Sequence, residues 1–124
     1  MPAFKTYGLT HIALAAKDAE WSARFYQQIF GMETAFQRKG FVQLRTPGSH
    51  DAIVFDESLE KKGEAGGIAH FGFRLAHPDD IHAAVEAIQQ AGGQIIEQGN
   101  FGPDEPYVFF MDPDGYQIEI WYEP

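Results

Sequence analysis

"GLTHIALAA" (residues 8–16) is followed by "KDAEWSARFYQQIFG" (17–31), and "GIAHFGFRL" (67–75) is followed by "AHPDDIHAAVEAIQQAGG" (76–93). Each pair reads as a short strand and then an amphipathic helix, so the chain says the same thing twice. In the second helix Ile81, Ala84, Val85 and Ile88 fall at i, i+3, i+4 and i+7, with Pro78 suited to the first turn and Gly92-Gly93 to the end. In the first helix the expected stripe is Trp21, Phe25 and Ile29, the expected cap Asp18 and the expected stop Gly31. Behind each helix come three strand-like runs separated by turn residues: 32–37, 41–46 and 52–56, then 94–97, 107–111 and 116–122. The pattern is βαβββ, repeated.

Between the repeats lies "ESLEKKGEAGG" (57–67), charged and glycine-rich, with Leu59 its only large apolar residue. That is a spacer composition. It sets module one at about 6–57, the linker at about 58–66 and module two at about 67–124. Neither module buries both faces of a small sheet alone, so the two are expected to pack together as one α+β domain. The expected architecture is a curled, cup-shaped mixed sheet with the helices outside, leaving a concave face to be filled.

The 124 residues, 44% of them hydrophobic, suffice for one domain with a substantial core. There is no cysteine, which excludes disulfides, thiolate nucleophiles and cysteine-ligated metal centres. A metal must therefore rest on His, Asp or Glu. The net charge of −9 repels phosphate backbones and anionic lipid, so neither nucleic acid nor membrane is an expected partner. No segment approaches the roughly 20 apolar residues a bilayer requires, and the N-terminus lacks a basic start followed by a long apolar run. The expectation is a cytoplasmic protein.

Side chains alternate along a strand, so parity decides which residues share a face. In "THIALAA" Ile12 and Leu14 share one face, and His11 shares the other with Ala13 and Ala15. In "AHFGFRL" Phe71, Phe73 and Leu75 go together, while His70 goes with Gly72 and Arg74. In "YQIEIWY" Ile118 and Ile120 go with Tyr116 and Tyr122, and Glu119 with Gln117 and Trp121. Three strands thus each present one ligand-type residue on the face away from helix packing. A buried carboxylate is costly alone but stable beside a cation that two neutral imidazoles also hold. Two His and one carboxylate with open positions suit one divalent ion: Fe2+, Mn2+, Ni2+, Co2+ or Zn2+. His50, His77 and His82 occupy no equivalent repeat positions and are read as ordinary histidines.

These residues, with "LTHIAL" opening the first module, "IAHFGF" opening the second and "FFMDPDGYQIEIW" closing it, resemble the vicinal oxygen chelate superfamily. That group holds glyoxalase I, fosfomycin-resistance thiol transferases, bleomycin-resistance proteins, methylmalonyl-CoA epimerases and extradiol ring-cleaving dioxygenases. The resemblance covers essentially the whole chain. It implies that His11, His70 and Glu119 ligate a divalent metal on the floor of the cup, that a small-molecule substrate chelates it through adjacent oxygens, and that the chain is a homodimer. Within the family, glyoxalase I normally has a fourth ligand mirroring Glu119. Superposing "AIVFDE" on "QIEIWY" puts Val54 there, with Asp56 one step further on the same parity. Valine neither ligates metal nor moves a proton, which weakens the glyoxalase I reading. Ring-cleaving members normally carry a further acid-base histidine, where this chain has only Asn100 and Tyr107. The potassium loop and basic contacts of the fosfomycin enzymes are not recognisable.

The candidate catalytic residues are Glu119 and Tyr107, the latter placed either to hydrogen-bond a metal-bound oxygen or to cover the core. Arg74 and Arg45 are the cations on candidate strands. Arg74 reads either as a contact for an anionic group or as a strand-end arginine reaching solvent. Phe109, Trp121 and Phe41 are candidate pocket walls and equally candidate packing. "DPDG" (112–115) lacks the ligand series of a calcium loop and reads as a turn. The expected function is a metal-dependent lyase, dioxygenase or transferase. The alternative is a bleomycin-resistance-like binding protein, which keeps the cup and dispenses with the metal.

Overall fold

The computed structural model describes residues 3–124. In order it contains β1 (Ile12–Ala15), α1 (Ala19–Phe30), β2 (Glu33–Arg38), β3 (Phe41–Arg45), β4 (Ile53–Asp56), β5 (Phe71–Arg74), a 3-10 turn at Pro78–Asp80, α2 (Ile81–Gln90), β6 (Gln94–Asn100), β7 (Pro106–Met111) and β8 (Gln117–Trp121). The strands form two four-stranded sheets, ordered β1-β4-β3-β2 and β5-β8-β7-β6. In each, the first and last strands of the module pair in parallel and the remaining pairs are antiparallel. This is the expected α+β fold of paired βαβββ modules.

Helix α1 begins where Asp18 accepts the Trp21 N–H at 3.0 Å. It ends at Gly31, left-handed at φ 66, whose N–H bonds to the Gln27 carbonyl. Its buried face is Ala19, Ser22, Ala23, Phe25 and Tyr26, with Ile29 packed against the core, so Phe25 and Ile29 of the expected stripe face inward. Trp21 is corrected to a surface position, 57% exposed, with the Arg24 guanidinium over its ring. Helix α2 follows the expected stripe: Ile88 is buried, and Ile81, Ala84 and Val85 pack against the core. Gly93 marks the tight corner after it, since a Cβ there would lie 2.7 Å from Ile88 Cγ2 and 3.0 Å from Phe25 Cζ.

The modules meet around α1. Phe30 stacks on Phe73 at 3.7 Å, Phe25 packs against Phe110 at 6.2 Å, and a single cluster of buried residues spans both repeats. The joint is polar at one end. Tyr26 donates its hydroxyl to Asp112 at 2.7 Å, and Asp112 also accepts the N–H groups of Asp114 and Tyr116. Asp114 accepts the Ser22 hydroxyl and the Lys17 N–H, and Tyr116 donates to the Ala15 carbonyl. "DPDG" is therefore a turn, as expected, with its carboxylates used to join the modules. The segment after β4 lies against this joint: Glu57 accepts the Ala19 N–H, and a Cβ on Gly63 would collide with the Asp114 carbonyl oxygen. With the helix-bearing faces turned toward the shared core, the faces carrying His11, His70 and Glu119 point away from it. No helix among the described residues is long and apolar enough to cross a membrane.

Candidate functional site

Register places the odd residues in rows on the outer face of the second sheet. One row runs Gly72, Glu119, Phe109, Glu97, and the next runs Arg74, Trp121, Tyr107, Gly99. Glu119 reaches across Gly72, its cross-strand neighbour, where a Cβ would lie 3.6 Å from its Oε1 and 3.3 Å from its carbonyl oxygen. The missing side chain leaves room for the carboxylate to approach His70. The two are 3.5 Å apart, Nε2 to Oε1, with side chains 37% and 12% exposed respectively. Phe109 packs against the His70 ring edge to face at 4.9 Å. Among the described residues no Lys or Arg lies within ion-pair distance of Glu119.

His11 belongs to the other sheet. Its Nδ1 shares a short hydrogen bond with the Thr10 hydroxyl, which leaves Nε2 available to a second partner. It lines a depression of about 560 Å3 with Ala13, Gln43, Arg45 and Val54. Of the three candidate ligands the chain therefore brings two together, His70 and Glu119. Among the described residues no group of three His, Asp or Glu side chains is placed to hold one ion.

The repeat geometry locates Val54. Ala13, two residues after His11, pairs with Val54, as Gly72, two residues after His70, pairs with Glu119. The position mirroring Glu119 is thus valine, and Asp56 pairs with Ala15 one step beyond. Gln43 lies beside Val54 where Phe109 lies beside Glu119.

Tyr107 donates its hydroxyl to Glu97, in a short bond. It is able to lean there because position 99 is glycine, whose Cβ would meet the Tyr107 hydroxyl at 3.1 Å. That bond, then burial, then the charges of Glu97 and Glu119 raise the Tyr107 pKa, so the phenol keeps its proton. Trp121 lies beside Tyr107 in register, and Phe101 stacks on Tyr107. Arg74 shares the row, at the end of β5, and has no ion pair among the described residues. Arg45, in the His11 depression, pairs with Glu33 at 2.9 Å, and Phe41, which lines the same depression, carries Arg38 over its ring.

Sequence reading missed Glu97 and Phe101. Simple alternation puts Glu97 on the same face as Ile95, which pairs with Phe110. A β-bulge at Ile96 shifts the register by one, so Glu97 pairs with Phe109 and joins the outer face. The first module carries the same irregularity at Ala35. Strict alternation carries no signal for either residue.

Comparison with known proteins bears on the family and the fold. The family model described as Glyoxalase/Bleomycin resistance protein/Dioxygenase superfamily matches residues 8–120. A metapyrocatechase of Geobacillus stearothermophilus is 30% identical over 98% of this chain, which spans only 36% of that protein's length. A lactoylglutathione lyase of Haemophilus influenzae is 26% identical over 90% of each chain. The solved structure titled "Oxidase ChaP-H2" superposes with TM-score 0.74 at 26% identity, covering 97% of this chain and 96% of the other.

Proposed function

We propose, since the chain belongs to the Glyoxalase/Bleomycin resistance protein/Dioxygenase superfamily, that it is a divalent-metal-dependent enzyme acting on a small substrate with adjacent oxygens, held by His11, His70 and Glu119. The observation that carries this is Glu119: a largely buried carboxylate that faces the His70 imidazole and, among the described residues, no Lys or Arg. Such a group is costly without a cation. The donor set of two imidazole nitrogens and one carboxylate fits iron(II), manganese, nickel, cobalt or zinc, with positions left for substrate oxygens. When bound, the ion supplies Lewis acidity to those oxygens. Around it Phe109 fixes the plane of the His70 ring, and the neutral Tyr107 phenol, held by Glu97, keeps a proton at the edge of the site. A sequestering cup has no use for these ligand-type residues.

Val54 argues about the reaction. Isomerisation by proton transfer needs a carboxylate mirrored from Glu119, and valine moves no proton. A three-ligand site favours ring cleavage or group transfer.

Because no three ligand-type side chains converge among the described residues of one chain, we assign the completed site to a homodimer, in which His11 of one copy faces His70 and Glu119 of the other. Co-expression of His11→Ala and Glu119→Ala chains under two affinity tags tests this. The doubly purified heterodimer should bind manganese at about half the wild-type stoichiometry, since one of its two sites keeps all three ligands. Binding in the wild type but none in the heterodimer places all three ligands in one chain. No binding in the wild type removes the metal reading itself.

A further inference from the structure

The outer face of the second sheet holds an aromatic slot that one of the protein's own side chains fills. Phe101 lies over Tyr107 with ring centroids 4.0 Å apart and planes 12° from parallel, and Trp121 meets Phe101 edge to face at 5.8 Å and 88°. Phe109 closes the far side against Tyr107 at 5.6 Å. Tyr107 is a fixed floor, since Glu97 holds its hydroxyl and Gly99 seats its ring. The fourth feature is polar: the Trp121 indole Nε1–H is buried and has no acceptor among the described residues. A buried donor left unpaired is costly, and native folds nearly always supply it a partner.

Phe101 is unlike the other three rings in its support. It is 55% exposed and sits in a five-residue loop closed, among the described residues, by its own backbone bonds, Phe101 N–H to the Glu105 carbonyl and Glu105 N–H to the Gly102 carbonyl. The β6–β7 ladder ends at Asn100 and Pro106, so Phe101 turns out without breaking a strand pair. A core aromatic is enclosed on all sides; this one lies as a cover on a polar-edged slot.

We propose that Phe101 is a displaceable plug occupying the place of a planar ring in the substrate, and that the unpaired Trp121 N–H receives an acceptor atom carried by that ring. The slot begins one residue row from Glu119, so a ring seated there lies beside the proposed ligands. Arg74, across the strand from Trp121 and without an ion pair among the described residues, favours an anionic acceptor such as a ring carboxylate. This deepens the reading above by naming the ring class, but the slot is built entirely by one sheet and does not depend on an ion.

The test uses metal-free protein in a Trp21→Phe background, so that emission comes from Trp121 alone. Benzoate should change that emission saturably, while acetate, which has the acceptor and no ring, and toluene, which has the ring and no acceptor, should bind far more weakly. Phe101→Ala should tighten benzoate binding about fivefold, the worth of the stacking contact that no longer competes. Trp121→Phe, followed by calorimetry, should erase the preference for benzoate over toluene. Unchanged or weaker benzoate binding in Phe101→Ala would overturn the plug, because the ring would then be wall. Equal binding of acetate and benzoate would overturn the ring slot. Failure here leaves manganese binding untouched, and failure of manganese binding leaves these titrations readable.

Discussion

Tyr26→Phe deletes one oxygen atom at the joint between the modules and should be the most informative single change to the fold. The tyrosine is fully buried, and its hydroxyl donates to Asp112 at 2.7 Å. Burial first, then the Asp112 charge, holds the Tyr26 phenol well above its ordinary pKa, so it acts only as a donor. Asp112 is also buried, and desolvation raises its carboxyl pKa against the opposing effect of the Tyr26, Tyr116 and Asp114 donors. A hydrogen bond to an ionised group contributes about 1.5–3 kcal/mol, and a neutral one about 0.5–1.5 kcal/mol. The sign with pH follows. A carboxyl whose pKa rises on folding contributes stability that is complete below its unfolded value and lost as pH climbs through the raised folded value. Removing the Tyr26 donor raises the folded value further. The loss in Tyr26→Phe should therefore be about 2 kcal/mol near pH 8, roughly 5–10 °C in Tm, and should shrink to about 1 kcal/mol near pH 4. Urea unfolding of both proteins at the two pH values measures it. An equal loss at both would mean that the bond is not made to an ionised carboxylate, and a loss below about 0.5 kcal/mol that it adds nothing to the joint.

Gly93→Ala should cost about 1–3 kcal/mol by thermal melting, because the added methyl meets Ile88 and Phe25 inside contact distance; a neutral result would show that α2 shifts freely. Gly72→Val should weaken manganese binding measured by calorimetry, since the branched side chain takes the space through which Glu119 reaches His70. Val54→Glu should tighten it by about tenfold by adding a ligand opposite Glu119, and an unchanged affinity would show that the mirrored position is not in the cup. Glu33→Gln should change stability by less than about 0.5 kcal/mol, its ion pair with Arg45 being half-exposed.

The repeat was legible because each level of the sequence repeated. Strand parity set His11 and His70 two residues before Ala13 and Gly72, helix punctuation fixed α1 and α2, and the register confirms that Val54 stands where Glu119 stands. Three things were not legible. The bulge at Ile96 breaks strict alternation, and nothing local marks it, so alternation alone does not put Glu97 on the outer face. The face of α1 that goes inward is set by packing against both modules, through Phe25, Tyr26 and Phe30, which leaves Trp21 on the surface. The joint of Tyr26, Asp112, Asp114 and Ser22 links residues about ninety positions apart, beyond the reach of any periodicity. Each is a tertiary effect overriding a local pattern.

Calorimetric titration of manganese into the chelator-stripped protein tests the central assignment most directly. Wild type and His82→Ala should each bind one ion per chain, whereas His11→Ala, His70→Ala and Glu119→Ala should lose that stoichiometric binding while melting as cooperatively as the wild type. Equal binding by all five proteins would mean that the ions titrate the acidic surface and that His11, His70 and Glu119 do not form a metal site.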